Sequence, residues 1–233
     1  MSLYSRNCTV DTCQGDIQVP VPFPTPILRF IHVDNLHLCL RRRGIWAPNH
    51  EPKDGLVYRT IHNVEVQTKR HEKRIWRGPG GVLHDYVAFY FGQLSPMMLN
   101  LKTGRVQGYN EGQEPLIYLV STCQAVADSG AKFVFTDGHG VATFTQWYDD
   151  LADLGRIDWD IVNERYWRDT VQDMDRQRRK QAEFLVHRFC DWSLIHEIAV
   201  INQNMKDRVE NILSEFTRNL RREVVARRDW YYR

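Results

Sequence analysis

Short runs of β-branched and aromatic residues, each closed by glycine, proline or a charged cluster, constrain this chain more than any other feature. They are ILRFIHV, YVAFYF (86–91), PLIYLVS (115–121), KFVFTDG (132–138), AEFLVHRF (182–189) and IHEIAVI (195–201). Such runs suit a pleated, largely buried surface and are too short for typical helices. Helices are predicted between them. DNLHLCLRRRG opens on Asp34 as N-cap and stops at Gly44, and 143–154, 157–168 and 205–217 carry apolar residues at helical spacing. Residues 57–75 read as mixed helix and loop, SPMML (95–99) as a short apolar segment, and GPGG (78–81) as a hard break. With no repeat and no central linker, the pattern predicts one α+β domain over 24–233 behind an extended, proline-rich leader over 1–23.

Composition narrows the function classes. A chain of 233 residues can bury a real core, and no window holds 18 consecutive apolar residues, which predicts no membrane span. The N-terminus lacks the basic-then-apolar order of an export signal. The odd, scattered cysteines (Cys8, Cys13, Cys39, Cys123, Cys190) therefore read as free thiols of a cytoplasmic protein. The net charge of +2 is unevenly spread: KRHEKRIWR (69–77) and RQRRK (176–180) are strongly basic, while 147–164 is acidic. Two local basic patches fit a polyanion site, but on charge alone a solvated charged face is the better reading. The chain has no GxGxxG after a strand, no Walker loop, no HExxH and no GxSxG. His84 and His139 stand without the partners a metal site needs, so no metal is expected.

RRKQAEFLV (178–186) raises the sharpest question. As a strand, 182–189 places Glu183 on one face with Leu185, His187 and Phe189. A carboxylate on an apolar face is either paired at an edge, here with Arg178 or Arg179, or kept for chemistry.

The ordered blocks TPILRFIHVDNL, GGVLHDYVAFYF, SPMML, EGQEPLIYLVS, FVFTDGHG, LGRIDWDIV, RRKQAEFLV and IHEIAV resemble the DarT family, DNA ADP-ribosyltransferase toxins of DarTG toxin–antitoxin systems. The resemblance runs from about residue 24 to the closing DWYY. It implies an ADP-ribosyltransferase fold with a central twisted, split β-sheet and flanking helices. NAD is the implied co-substrate, single-stranded DNA the acceptor with thymidine as the modified base, and a DarG-like macrodomain antitoxin the partner. On this resemblance Glu183 and Arg70 are catalytic, and Arg29, Ile31, His32, Asn35, Arg70, Tyr90 and Met97 contact NAD. His139 and the run Arg178, Arg179 and Lys180 meet the DNA.

The implied chemistry suits these residue types. Breaking the nicotinamide–ribose bond develops oxocarbenium character, which a buried carboxylate at the ribose 2′-hydroxyl stabilises. The thymine ring nitrogen must lose a proton to attack. A guanidinium holds its own proton, which favours Glu183 over Arg70 as the base. The chain departs from the family at Arg29, where the family carries histidine, and at Leu94, where it carries a cation before SPM. Arg29 could contact the NAD phosphates or ribose, or mark a changed acceptor. Transfer to guanine or RNA, and a nucleic-acid-binding homologue with impaired catalysis, are the rival readings.

Overall fold

The computed structural model describes residues 19–233; most of the expected leader, with Cys8 and Cys13, lies outside the described residues. The strands are β1 (Pro26–His32), β2 (Gly44–Trp46), β3 (Tyr86–Tyr90), β4 (Leu116–Thr122), β5 (Phe133–Thr136), β6 (Trp147–Tyr148), β7 (Glu183–His187), β8 (Phe189–Asp191), β9 (Glu197–Val200) and β10 (Glu223–Ala226). The helices are α1 (Leu36–Arg41), α2 (Val64–Glu72), α3 (Pro96–Lys102), α4 (Cys123–Asp128), α5 (Trp159–Asn163), α6 (Arg176–Arg179) and α7 (Gln203–Ser214).

Eight strands form one sheet in the order β10-β9-β4-β1-β3-β7-β5-β6, and β2 pairs with β8 apart from it. Neighbours run antiparallel except β9 and β10. The sheet is split in the middle. β1 is in register with β4 from Pro26 to His32, and β3 with β7 from Tyr86 to Tyr90. The two halves meet at a single pair, Leu28 with Tyr90. The expected α+β class with a split sheet is the fold observed, and the split is where the site lies. The core covers both halves, with Ile27, Ile31, Phe89, Leu119, Phe135 and Phe184 fully buried.

Three local expectations fail for tertiary reasons. Over 143–154 there is no long helix: Trp147 and Tyr148 form β6 on the edge of β5, with Tyr148 stacked 5.3 Å from Phe135, and only a short 3-10 helix follows at Leu151–Arg156. Over 157–168 the helix is confined to α5, because the buried Lys180 ammonium takes the carbonyls of Val162 and Glu164 at 2.6 and 2.7 Å. Before α1, Asp34 sits inside a 3-10 turn rather than capping the helix. Arg43 (φ 53°), not Gly44, supplies the left-handed residue after it. Gly44 instead opens β2, where a Cβ would lie 2.4 Å from the Cys190 carbonyl oxygen.

Candidate active site

Glu183 is the first residue of β7 and pairs with Tyr90 of β3, at the point where the sheet halves meet. Phe184 and Val186 enter the main core, while Leu185 joins a second cluster with Ile75, Leu83, Tyr86 and Val134. Both faces of β7 are therefore covered, and Glu183 is 1% exposed. A carboxylate so buried needs partners. Arg70 Nη1 donates to its two oxygens at 3.0 and 2.9 Å, and the Gly140 backbone N–H donates to Oε1 at 3.3 Å. Arg70 reaches in from the last turn of α2, a helix whose start is capped by the Asn63 side chain accepting from Glu65 N. Arg178 and Arg179 are not the partners of Glu183, so the simple edge-strand ion pair is not what holds this carboxylate.

A cavity occupies the split and is lined by Arg29, Arg70, Tyr90, Met97, His139 and Glu183, all foreseen, together with Trp46, Tyr58 and His62, which were not. Arg29 replaces the missing ladder between β1 and β3: its Nη1 donates to the Ala88 carbonyl at 2.8 Å. Arg29 Nε and Trp46 Nε1 are buried donors without a partner, an arrangement that suits an acceptor-rich ligand. Tyr90 stacks at 6.1 Å on Phe30 and brings its hydroxyl to 3.9 Å from the Met97 sulfur. Burial pushes the His62 imidazole down to about 4, helped by the charges of Arg29 and Arg70. Burial also lowers His139, against the opposing pull of Glu183. Both rings are therefore neutral hydrogen-bonding groups near pH 7.

Other expected contacts lie elsewhere. Ile31 is packed in the core. His32 is buried at the end of β1, its Nδ1 3.2 Å from Asp34 and its Nε2 3.4 Å from Glu111. Asn35 accepts from Arg59 N at 2.7 Å and donates to Arg59 O at 2.8 Å. None of the three lines the cavity, and Asn35 instead anchors the segment that carries Tyr58 and His62 to it. The basic run before Glu183 is engaged inside the protein. Arg178 pairs with Asp137 and Asp175, Arg179 with Asp158 and Asp173, and Lys180 is 2% exposed. Lys180 has no path to a DNA phosphate, because the carbonyls at the end of α5 take its ammonium. Leu94 is buried with φ 56°, and its carbonyl accepts from the Tyr232 hydroxyl, so this position is a backbone anchor. Among the described residues no group of three or more His, Cys, Asp or Glu is placed to hold a metal, and no helix is long and apolar enough to cross a membrane.

The family model described as "ssDNA thymidine ADP-ribosyltransferase, DarT" matches residues 28–232. The chain belongs to the DarT family. A DNA ADP-ribosyl transferase of Thermus sp. (strain 2.9) is 41% identical over 211 residues, 91% of this chain and 98% of the relative. The structure of Thermus sp. 2.9 DarT in complex with ADP-ribosylated ssDNA superposes with a TM-score of 0.86 at 40% identity. That match covers 93% of this chain and all of the other. The same Thermus DarT in complex with NAD+ gives a TM-score of 0.82 at 40% identity, covering 91% of this chain and all of the other.

Within this DarT chain, the residues that sequence reasoning missed share one property: their role depends on long-range placement. Trp46 comes from the small β2–β8 sheet and Tyr58 and His62 from an irregular segment, and none stands in a recognisable motif. Gly140 closes the run TDGHG, but its contribution is a backbone N–H, which no side-chain pattern reports.

Proposed function

We infer that this chain is an NAD-dependent enzyme that transfers ADP-ribose to thymidine in single-stranded DNA and releases nicotinamide. The observation that carries the reading is the buried Glu183–Arg70 pair at the split of the sheet, in a chain of the DarT family. A dinucleotide fits the residues present: Arg29 Nε and Trp46 Nε1 are unpartnered donors, Arg29 and Arg70 offer charge to phosphates, and Tyr90 offers a face to nicotinamide.

In this mechanism the Glu183 carboxylate accepts from the ribose 2′-hydroxyl and faces the positive charge that grows at the anomeric carbon. Its surroundings exclude water, so the field is stronger there than at a surface. The C–N bond of NAD breaks with its electron pair leaving on nicotinamide, and the thymine ring nitrogen forms the new bond to that carbon. The proton of the ring nitrogen passes to Glu183, the one carboxylate among the described residues that line the cavity. Arg70 orients Glu183 before the substrate arrives and is then available to the phosphates or the base.

Single-stranded DNA as acceptor is supported by exposed residues, several of them in the segment that carries Arg70. Lys69, Arg74 and Arg77 are exposed and form no ion pair among the described residues. Trp76 and Phe144 are 85% and 81% exposed, as stacking platforms for unpaired bases would be. A macrodomain antitoxin as partner and a place in the cytoplasm, where NAD and DNA meet, go with this reading.

The test is mass spectrometry of a thymidine-containing oligonucleotide after incubation with the protein and NAD. The expected result is a gain of one ADP-ribose, lost by at least ~1000-fold in Glu183→Gln, whose melting temperature stays near wild type. Binding without a mass change on any DNA or RNA oligonucleotide would favour a homologue with impaired catalysis. A gain only on guanine or on RNA would move the acceptor.

A further inference from the structure

The backbone donor on Glu183, the Gly140 N–H, belongs to the loop TDGHG (136–140), and that loop is built against Arg178. Arg178 stands in the basic run before β7, yet folding turns it away from solvent, with its side chain 16% exposed. Its guanidinium forks onto two carboxylates. Nη1 donates to Asp137 Oδ1 at 2.8 Å, while Nε and Nη2 donate to the two oxygens of Asp175, each at 2.7 Å. Asp175 lies three residues earlier in the same segment, whereas Asp137 belongs to the loop. One side chain therefore joins the segment that leads into Glu183 to the loop that faces it.

The main chain makes the same join. The His139 N–H donates to the Arg178 carbonyl at 2.9 Å, and the Gln146 N–H closes the loop on Asp137 Oδ1 at 2.9 Å. Thr136 Oγ1 donates to the Gly138 carbonyl at 2.7 Å and accepts from the Glu183 N–H at 3.1 Å, so loop and β7 share one hydroxyl. Gly138 is what permits the contact with Arg178. A Cβ there would lie 2.3 Å from Arg178 Nη1 and 2.9 Å from the Arg178 carbonyl oxygen. These bonds converge on the stretch that carries His139, which lines the cavity, and Gly140, whose N–H donates to Glu183 Oε1 at 3.3 Å.

We propose that Arg178 is a positioning residue for ADP-ribose transfer: acting through residues 137–140, it holds the Gly140 N–H and the His139 ring in place against Glu183. This role rests on the function proposed above. In that mechanism Arg70 turns to the phosphates or the base once substrate is bound, so the Gly140 N–H is the donor that stays on Glu183. With Oε1 held from the loop, Oε2 is the oxygen left to face the ribose hydroxyl. A reacting group displaced by about 1 Å loses up to ~100-fold in rate, so the fixing of this loop reaches the chemical step. The join requires a guanidinium. A lysine ammonium carries the charge but lacks the planar set of donors that spans both aspartates.

The variants are Arg178→Met, Arg178→Lys and Gly138→Ala, the last of which keeps every charge and pushes the loop off the guanidinium. Each is compared with wild type by calorimetric titration with NAD, which gives affinity and the number of binding sites. Turnover of a thymidine-containing oligonucleotide gives its KM and kcat per NAD-binding site, and amide hydrogen exchange reads residues 137–146. The expected result for all three is a fall of about 10- to 100-fold in kcat per site, with NAD affinity and oligonucleotide KM within about three-fold. Exchange over 137–146 becomes faster. Fewer NAD sites with kcat per site unchanged would make the role purely structural and overturn the proposal. A kcat within about two-fold of wild type, or a fall in kcat without faster exchange, also overturns it. So does a raised oligonucleotide KM that Arg178→Lys restores while kcat stays intact, which assigns Arg178 to a DNA phosphate. If wild type modifies no DNA, the function proposed above fails by itself, and the exchange arm still decides whether Arg178 fixes this loop.

Discussion

Two basic segments flank the candidate site, and the fold treats them in opposite ways. Residues 176–180 precede Glu183 directly, yet Arg178 and Arg179 are held by four aspartates and Lys180 is buried against the end of α5. Residues 69–77 are far from Glu183 in the chain, yet Arg70 reaches its carboxylate, while Lys69, Arg74 and Arg77 remain exposed beside Trp76. Both carry a net charge of +4, five Lys/Arg less one Glu in the longer segment and four Lys/Arg in the shorter; the difference is whether acids are folded against them. The first segment is tied into the fold by its ion pairs, and the second leaves three of its cations to solvent.

The comparison breaks most visibly at Lys180. Lys180→Met keeps much of the volume but leaves the carbonyls of Val162 and Glu164 without their donor. The expected cost is about 2–4 kcal/mol, a fall in Tm of roughly 5–15 °C. The salt dependence of oligonucleotide binding should stay unchanged. If Tm held while that dependence weakened, Lys180 would belong to the DNA surface after all.

Neutralising the other segment should do the reverse. The triple variant Lys69→Ala/Arg74→Ala/Arg77→Ala is expected to weaken single-strand binding by about 10-fold or more near 0.1 M salt. The slope of log K against log salt should flatten by roughly 0.7 for each phosphate that the protein no longer neutralises. Its Tm should stay within a few degrees, since these exposed cations form no ion pair among the described residues. Anisotropy across a salt series together with calorimetry checks both halves of the contrast.

The smallest effect sharpens what lies between the segments. Burial lowers His32, His62, His84, His139 and His187, with His62 at about 4. The unfolded chain, with histidines near 6.5, then binds more protons than the folded one as pH falls from about 6.5 toward 4. The stability these neutral imidazoles contribute is complete above about 6.5 and is lost as pH drops through that window. Scans at pH 7 and pH 5 should show a lower Tm at pH 5, and His62→Gln should reduce the difference.

The strands of the central sheet were legible because their β-branched and aromatic runs coincide with long, buried register: ILRFIH on β4, YVAFY on β7. The two-residue β6 was not, because Trp147 and Tyr148 become a strand only by pairing with β5. Glu183 was legible as a misplaced carboxylate, and the likeness of the chain to the DarT family pointed to Arg70 in the basic run 69–77. Ile31, His32 and Asn35, expected on the family likeness to contact NAD, sit in the core or anchor a neighbouring segment and are not among the residues that line the cavity.

The sequence by itself determined the family, the α+β class and the presence of a carboxylate on an apolar face. All three follow from local composition and from the order of blocks along the chain. The tertiary structure alone decided that β1 and β3 part after one pair, opening a cavity that Arg29 bridges. It also decided which cations face solvent. Those outcomes depend on which distant carboxylates and carbonyls are brought within hydrogen-bonding reach, and linear spacing carries no record of such distances.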